Sequence, residues 1–289
     1  MSALVGTFPS EAELNEALGI RVPNVMRTML AIAFEEAGGD IGEFLNSYFD
    51  IANFYFAGDL AALFVQSARE SYDVRYASTP PELVPFGCPG RDGAHYGFIV
   101  HAPELDSTDF LVGELAPADD SGVLLIGRNT DDAIRNLVSF TTESSAKAPE
   151  TKVTRRLLAE LNISLDDDRD PLWMNDEKVV PTIPSGYAFR DTPDGIGVLA
   201  KAETFSSSLE VPKRGSPAEA YLEAAERSLN AKRAGDALVL LKNAAWNFGH
   251  DGRTLSRLNE PMMRVYDALK RPVFSRFLDR NAARFGDHR

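Results

Sequence analysis

Between Tyr72 and Gly127 the period of the sequence changes, and that change limits the possible fold more than any other feature of the chain. On either side, apolar residues recur at helical spacing. Within it, Pro, Gly and Asp break the chain into short runs rich in Val, Ile, Leu and aromatic residues, the pattern of strands and turns. YDVRY, AHYGFIVHA, DFLVGEL and GVLLIG are the four expected strands, with ADDSG as a tight turn between the last two. Asn129 or Thr130 then caps a helix, TDDAIRNLVSF, whose acidic first turn suits the positive end of the helix dipole. The expected fold class is α+β, with helices packed on a small, mainly antiparallel sheet and followed by a helical C-terminal region.

The flanks read as helices with recognisable ends. Ser10 and Glu13 form a capping box, and Pro23 and Asn24 start a second helix that Gly38 and Gly39 stop. A third is expected from Asp40 through Phe44, Tyr48, Phe49, Phe54, Tyr55 and Phe56, covered on more than one side by core. Beyond the polar run TTESSAKAPETK come a basic helix, TKVTRRLLAELNI, an acidic loop, and the strand-like pieces VVPTI, GYAFRD and GIGVLAKAETF. From Ser216, the expected N-cap, AEAYLEAAERSLNAKRAGDALVLLKNAAWNF resembles a single tetratricopeptide helical hairpin turning at Gly235. The implied organisation is an acidic α+β domain over 1–145, a mixed connecting segment over 146–215 and a helical region over 216–289.

The net charge of −13 is unevenly distributed. Residues 1–145 hold 22 Asp and Glu against 7 Arg and no Lys, a balance of −15, whereas residues 146–289 hold 21 acids against 23 bases. Such a first half repels phosphate backbones and attracts basic proteins, so a protein partner is expected and nucleic acid is not. Acidity also serves solubility alone, and that simpler account covers the same numbers. No run approaches the ~20 apolar residues of a membrane-spanning helix, and the first residues lack the pattern of an export signal, so a cytoplasmic protein without membrane partners is expected. With one cysteine, neither an internal disulfide nor a Cys-rich zinc site can form.

PFGCPGRDGAHYGFIVHAPEL gathers Cys88, Asp92, His95, His101 and Glu104 within one stretch. On a strand, Tyr96, Phe98 and Val100 point one way and His95, Gly97, Ile99 and His101 the other, the first set core-like and the second not. At ~3.3 Å per residue the two histidines stand roughly 20 Å apart, too far to share an ion. A metal-dependent hydrolase around Asp92, His95 and Cys88 is the alternative reading, but no nucleophile or metal signature accompanies those residues, and FGCPG reads as a turn. Asp166 to Glu177 follows the spacing of a calcium loop, yet Pro171 occupies the position where that loop needs glycine with positive φ. Phosphate-loop, dinucleotide, GxSxG and HExxH patterns do not occur, and Gly195 and Gly197 fit a hairpin turn. Neither a catalytic set nor a cofactor or metal is expected.

TPPELVPFGCPGRDGAHYGFIVHAPEL, with FLVGEL, DDSGVLLIGRN and TDDAIRNLVSF after it, resembles the SUKH superfamily over roughly residues 60–140. That family contains bacterial immunity proteins and a yeast cell-wall regulator. The resemblance implies binding without catalysis: a cytosolic module that neutralises a toxin or other basic protein, in accord with the acidic first half. The expected contact lies on an exposed strand face and its turns, through Asp92, His95, His101, Glu104, Asp106, Asp119 and Asp120.

Overall fold

The structure is a computed structural model that describes residues 7–45, 48–49, 54–56, 75–76, 78–89, 93–117, 122–145, 151–163, 179–249 and 251–285. Helices α1 (Glu11–Leu18) and α2 (Asn24–Glu36) form where their caps place them. Ser10 accepts from the Glu13 amide while the Glu13 carboxylate accepts from the Ser10 amide, and Gly19 closes α1 in the left-handed region. The expected aromatic helix is overturned. After a short α3 (Ile41–Leu45), Tyr48–Phe49 (β1) and Phe54–Phe56 (β2) pair as antiparallel strands. Aromatic side chains suit a pleated strand as well as a core helix, and their density alone cannot separate the two.

Strands β3 (Leu83–Cys88), β4 (His95–Ile99), β5 (Leu111–Leu115) and β6 (Val123–Gly127) extend this pair into a six-stranded antiparallel sheet in sequence order. Three of the four expected strands are present. The fourth is not YDVRY: residues 72–74 lie outside the described ones, Arg75 and Tyr76 are not in a strand, and the added strand is LVPFGC, whose end was expected to turn. Pro85 obscured it, since an internal proline argues against a central strand. Here β2 reaches only Gly87 and Cys88, and the register shifts between Pro85 and Gly87, so Pro85 sits beside a bulge with β4 as its one strand neighbour among the described residues. The ADDSG turn falls largely outside the described residues.

Helix α4 (Thr130–Ser145) packs on β6 and runs through the first part of the expected linker. Helix α5 (Lys152–Glu160) docks on α2, where Arg156 contacts Glu35 at 2.6 Å and Glu36 at 3.1 Å. β7 (Tyr187–Arg190) and β8 (Val198–Lys201) form a separate hairpin, and VVPTI, part of the same expected set, forms no strand. Four helices complete the chain: α6 (Ala218–Asn230), α7 (Ala234–Asn247), α8 (Gly252–Ala268) and α9 (Pro272–Phe285). Pro217, one residue later than expected, is the N-cap of α6, and Gly235 lies in the first turn of α7, not between the helices.

One apolar cluster runs from Leu14 and Leu18 through Phe98 and Ile126 to Leu241, Tyr266 and Phe274. The three expected segments therefore share a core. A second cluster, including Leu83, Ile99, Leu115, Val123 and Ile196, lies on the other face of the sheet. The alternation along β4 is as expected, but its second face is covered as well, which places the polar residues of that face inside the protein.

A buried ionic junction beneath the sheet

His95 is fully buried and His101 is 7% exposed, so the expectation that both present themselves on an outer strand face is overturned. His95 is enclosed by Tyr76, Thr79 and Gly93, and His101 by the segment between β7 and β8, which lies across that face. Val123 donates to the Asp194 carbonyl at 2.8 Å, and the two backbones approach so closely that a methyl on Gly122 would stand 2.9 Å from Asp194, and one on Gly195 2.6 Å from the Val123 carbonyl oxygen. Both glycines have positive φ, so this contact requires glycine twice over.

His95 Nδ1 donates to the Gly93 carbonyl at 3.0 Å, and Nε2 faces the Thr79 hydroxyl at 3.4 Å. His101 Nε2 donates to the Ile196 carbonyl at 2.9 Å, and the ring meets Phe189 edge-on. Burial pushes the His101 pKa down to about 4; the Ile196 carbonyl opposes that shift, and Lys242 and Arg271 add to it. His101 is a neutral structural group at pH 7.

At the centre stands Lys242 of α7, 2% exposed, 2.9 Å from Glu82 Oε2 and 3.0 Å from Asp194 Oδ2. Glu82 precedes β3; its backbone carbonyl accepts from Val100, and its second carboxylate oxygen accepts from the Tyr266 hydroxyl of α8 at 2.8 Å. Asp194 Oδ1 accepts from the Thr192 hydroxyl at 2.5 Å and the Ile196 amide at 3.2 Å. Burial lowers the Lys242 pKa, but the Asp194 and Glu82 carboxylates outweigh it and the net direction is upward. Tyr266 is held well above the ordinary phenol range by burial and by Glu82. A permanently protonated lysine and a permanently protonated phenol tie together the start of β3, the β7–β8 connection and two C-terminal helices. Neither is poised to take up a proton at neutral pH.

Arg271 forms a second tie. It is 1% exposed, donates twice to Glu104 at 3.0 and 2.8 Å, and reaches the Leu199 carbonyl at 2.6 Å. Glu104, on the short 3₁₀ turn Pro103–Leu105, is exposed and engages the buried Arg271 from the surface. Asp106 is open to solvent and pairs with Arg21 at 3.0 Å. Asp92, Asp119 and Asp120 lie outside the described residues, as does the Asp166–Glu177 loop. Cys88 is half-buried at the end of β3. Among the described residues no three His, Cys, Asp or Glu side chains gather as a metal's ligands would.

Sequence reasoning missed this junction although one signal was available. Lys242 interrupts ALVLLKNAAW, a run apolar on every side, and a lysine there must find buried carboxylates. Two grooves mark the outer surface between α1, the start of α2 and residues 103–110. Their charged lining is Glu11, Glu16, Asp106 and Asp109 against Arg21 and Arg27, an acidic balance. No family model matches the sequence, and no curated protein matches it.

Proposed function

We propose that the protein is a non-catalytic, SUKH-type binding module of the cytoplasm that docks a basic protein, a toxin in the immunity-protein manner, and uses no cofactor. One observation supports this reading: the grooves beside α1 carry an acidic lining, with Glu11, Glu16 and Asp106 exposed and only Arg21 and Arg27 to balance them. The buried ionisable groups support it, because Glu82, Asp194, Lys242 and Arg271 are engaged with one another or with the backbone of neighbouring segments. Among the described members of the sequence-derived contact set, Asp106 lines this surface in the open.

The reading is tested with basic toxin domains encoded beside this gene, by measuring association rates at rising salt. Glu16→Arg combined with Asp106→Arg should slow association about tenfold at low salt, with the difference shrinking as the Debye length falls below ~10 Å. Association that is indifferent both to salt and to the double reversal would remove the electrostatic docking surface from the account.

A further inference from the structure

A cavity of about 80 Å³ opens where the sheet meets the C-terminal helices, and it does not belong to the docking grooves. One wall is apolar: Pro81, Leu115, Leu255, Leu258, Met262 and Leu278. The lining also includes Lys242 and Asp194 of the ionic junction, together with Ser78, Thr79, Trp246 and Asn259. A mostly apolar enclosure with a few converging polar groups is the usual form of a small-ligand site.

We propose that this cavity binds a small uncharged molecule with an apolar body and one hydrogen-bond acceptor. The argument begins with the lysine. An ammonium has three N–H donors; the two carboxylate partners of Lys242, Glu82 and Asp194, take one each, and no described residue takes the third. An acceptor entering the cavity completes it. Charge then restricts the class. A cation meets the Lys242 ammonium, while an anion meets the two carboxylates bound around it, and either must also shed its hydration against the apolar wall.

Size restricts it further. One water occupies about 10–15 Å³ on this measure, so the cavity takes roughly five to eight water-sized positions, or a ligand of about six heavy atoms. Water is a poor occupant in that number, because each molecule needs two to four polar partners, and beyond the few polar side chains of the lining the wall of Leu, Met and Pro offers none. Both Asp194 oxygens already accept hydrogen bonds or the ion pair, and Thr79 Oγ1 already serves Tyr76 and His95. An apolar body therefore replaces poorly bonded water, and its acceptor serves the remaining donor.

The probe is cyclopentanone, titrated into the full chain labelled at its methionine methyl groups, with cyclopentylammonium and cyclobutanecarboxylate as charged counterparts of similar size. The ketone should shift the Met262 methyl resonance saturably, give intermolecular NOEs to Met262 and Leu258, and bind at least about tenfold more tightly than either ion. Ala245→Leu places a larger side chain at the cavity lining and should abolish the shift while the unfolding transition stays cooperative. Absence of NOEs in the wild-type chain, or charged probes binding as well as the ketone, overturns the proposal whatever the variant does.

Discussion

The two faces of the sheet are buried by different chemistry. Toward α1, α2 and α4, Phe86, Phe98, Val100, Val112 and Ile126 pack in an apolar layer. Toward the β7–β8 connection and the C-terminal helices, a smaller apolar patch lies beside Glu82, Lys242, Asp194, Tyr266, His101 and Arg271, all buried. The first face is held by area removed from water, which is non-directional and tolerates rearrangement. The second is held by directed bonds between segments far apart in sequence, Glu82 to Lys242 and Tyr266 and Arg271 to Glu104 and Leu199. A buried ion pair adds little net stability, because desolvation opposes its attraction, but it permits few alternative arrangements. Area burial on the apolar face favours collapse without fixing geometry, whereas the directed bonds of the ionic face fix how the C-terminal helices seat.

Removing one partner of the ionic face tests this most severely. Lys242→Met keeps the volume but leaves two buried carboxylates facing each other, and it should destabilise the protein by about 3–5 kcal/mol in urea unfolding at pH 7. The triple variant Lys242→Met, Glu82→Gln, Asp194→Asn removes the stranded charges and should recover most of that loss. If the triple variant is as unstable as the single one, packing of the lysine stem, not the charge network, is what the junction contributes.

The next effect is read through pH. His101 titrates near 4 in the folded protein against about 6.5 when unfolded, so between those values the unfolded chain binds the extra proton. Stability from this residue is complete above pH ~6.5 and is lost as pH falls toward 4, a total of about 3 kcal/mol. His101→Gln, which retains a donor for the Ile196 carbonyl, should flatten that part of the profile. A slope between pH 6.5 and 4 that survives the substitution would assign the sensitivity to other groups.

How much of this could be read from sequence follows from the same contrast. Period and capping are local properties, so the Ser10–Glu13 box, the start of α2, β4 to β6 and the paired C-terminal helices were all legible. Pro85 and the aromatic run at 48–56 misled because their outcome depends on which strand lies alongside, a tertiary fact. The outward face of β4 was misassigned for a similar reason: alternation tells which residues share a face, but not that residues 192–197 arrive from about a hundred positions later to cover it. Of the contact residues proposed from sequence, Asp106 and Glu104 stayed on the surface, Glu104 tied to the buried Arg271, while His95 and His101 are buried against Thr79 and Ile196.

The smallest expected effect belongs to the apolar face. Met29 of α2 is 1% exposed within the main cluster, and Met29→Leu, like Lys242→Met, exchanges side chains of similar volume. No charge or hydrogen bond changes, and neighbouring side chains can adjust by rotamer, so the change should cost less than about 1.5 kcal/mol with no dependence on pH. The ratio of the two substitutions measures the difference between the faces directly. A Met29→Leu loss equal to that of Lys242→Met would mean that both faces are specified by packing geometry alone, and the ionic junction would then have no special part in seating the helices.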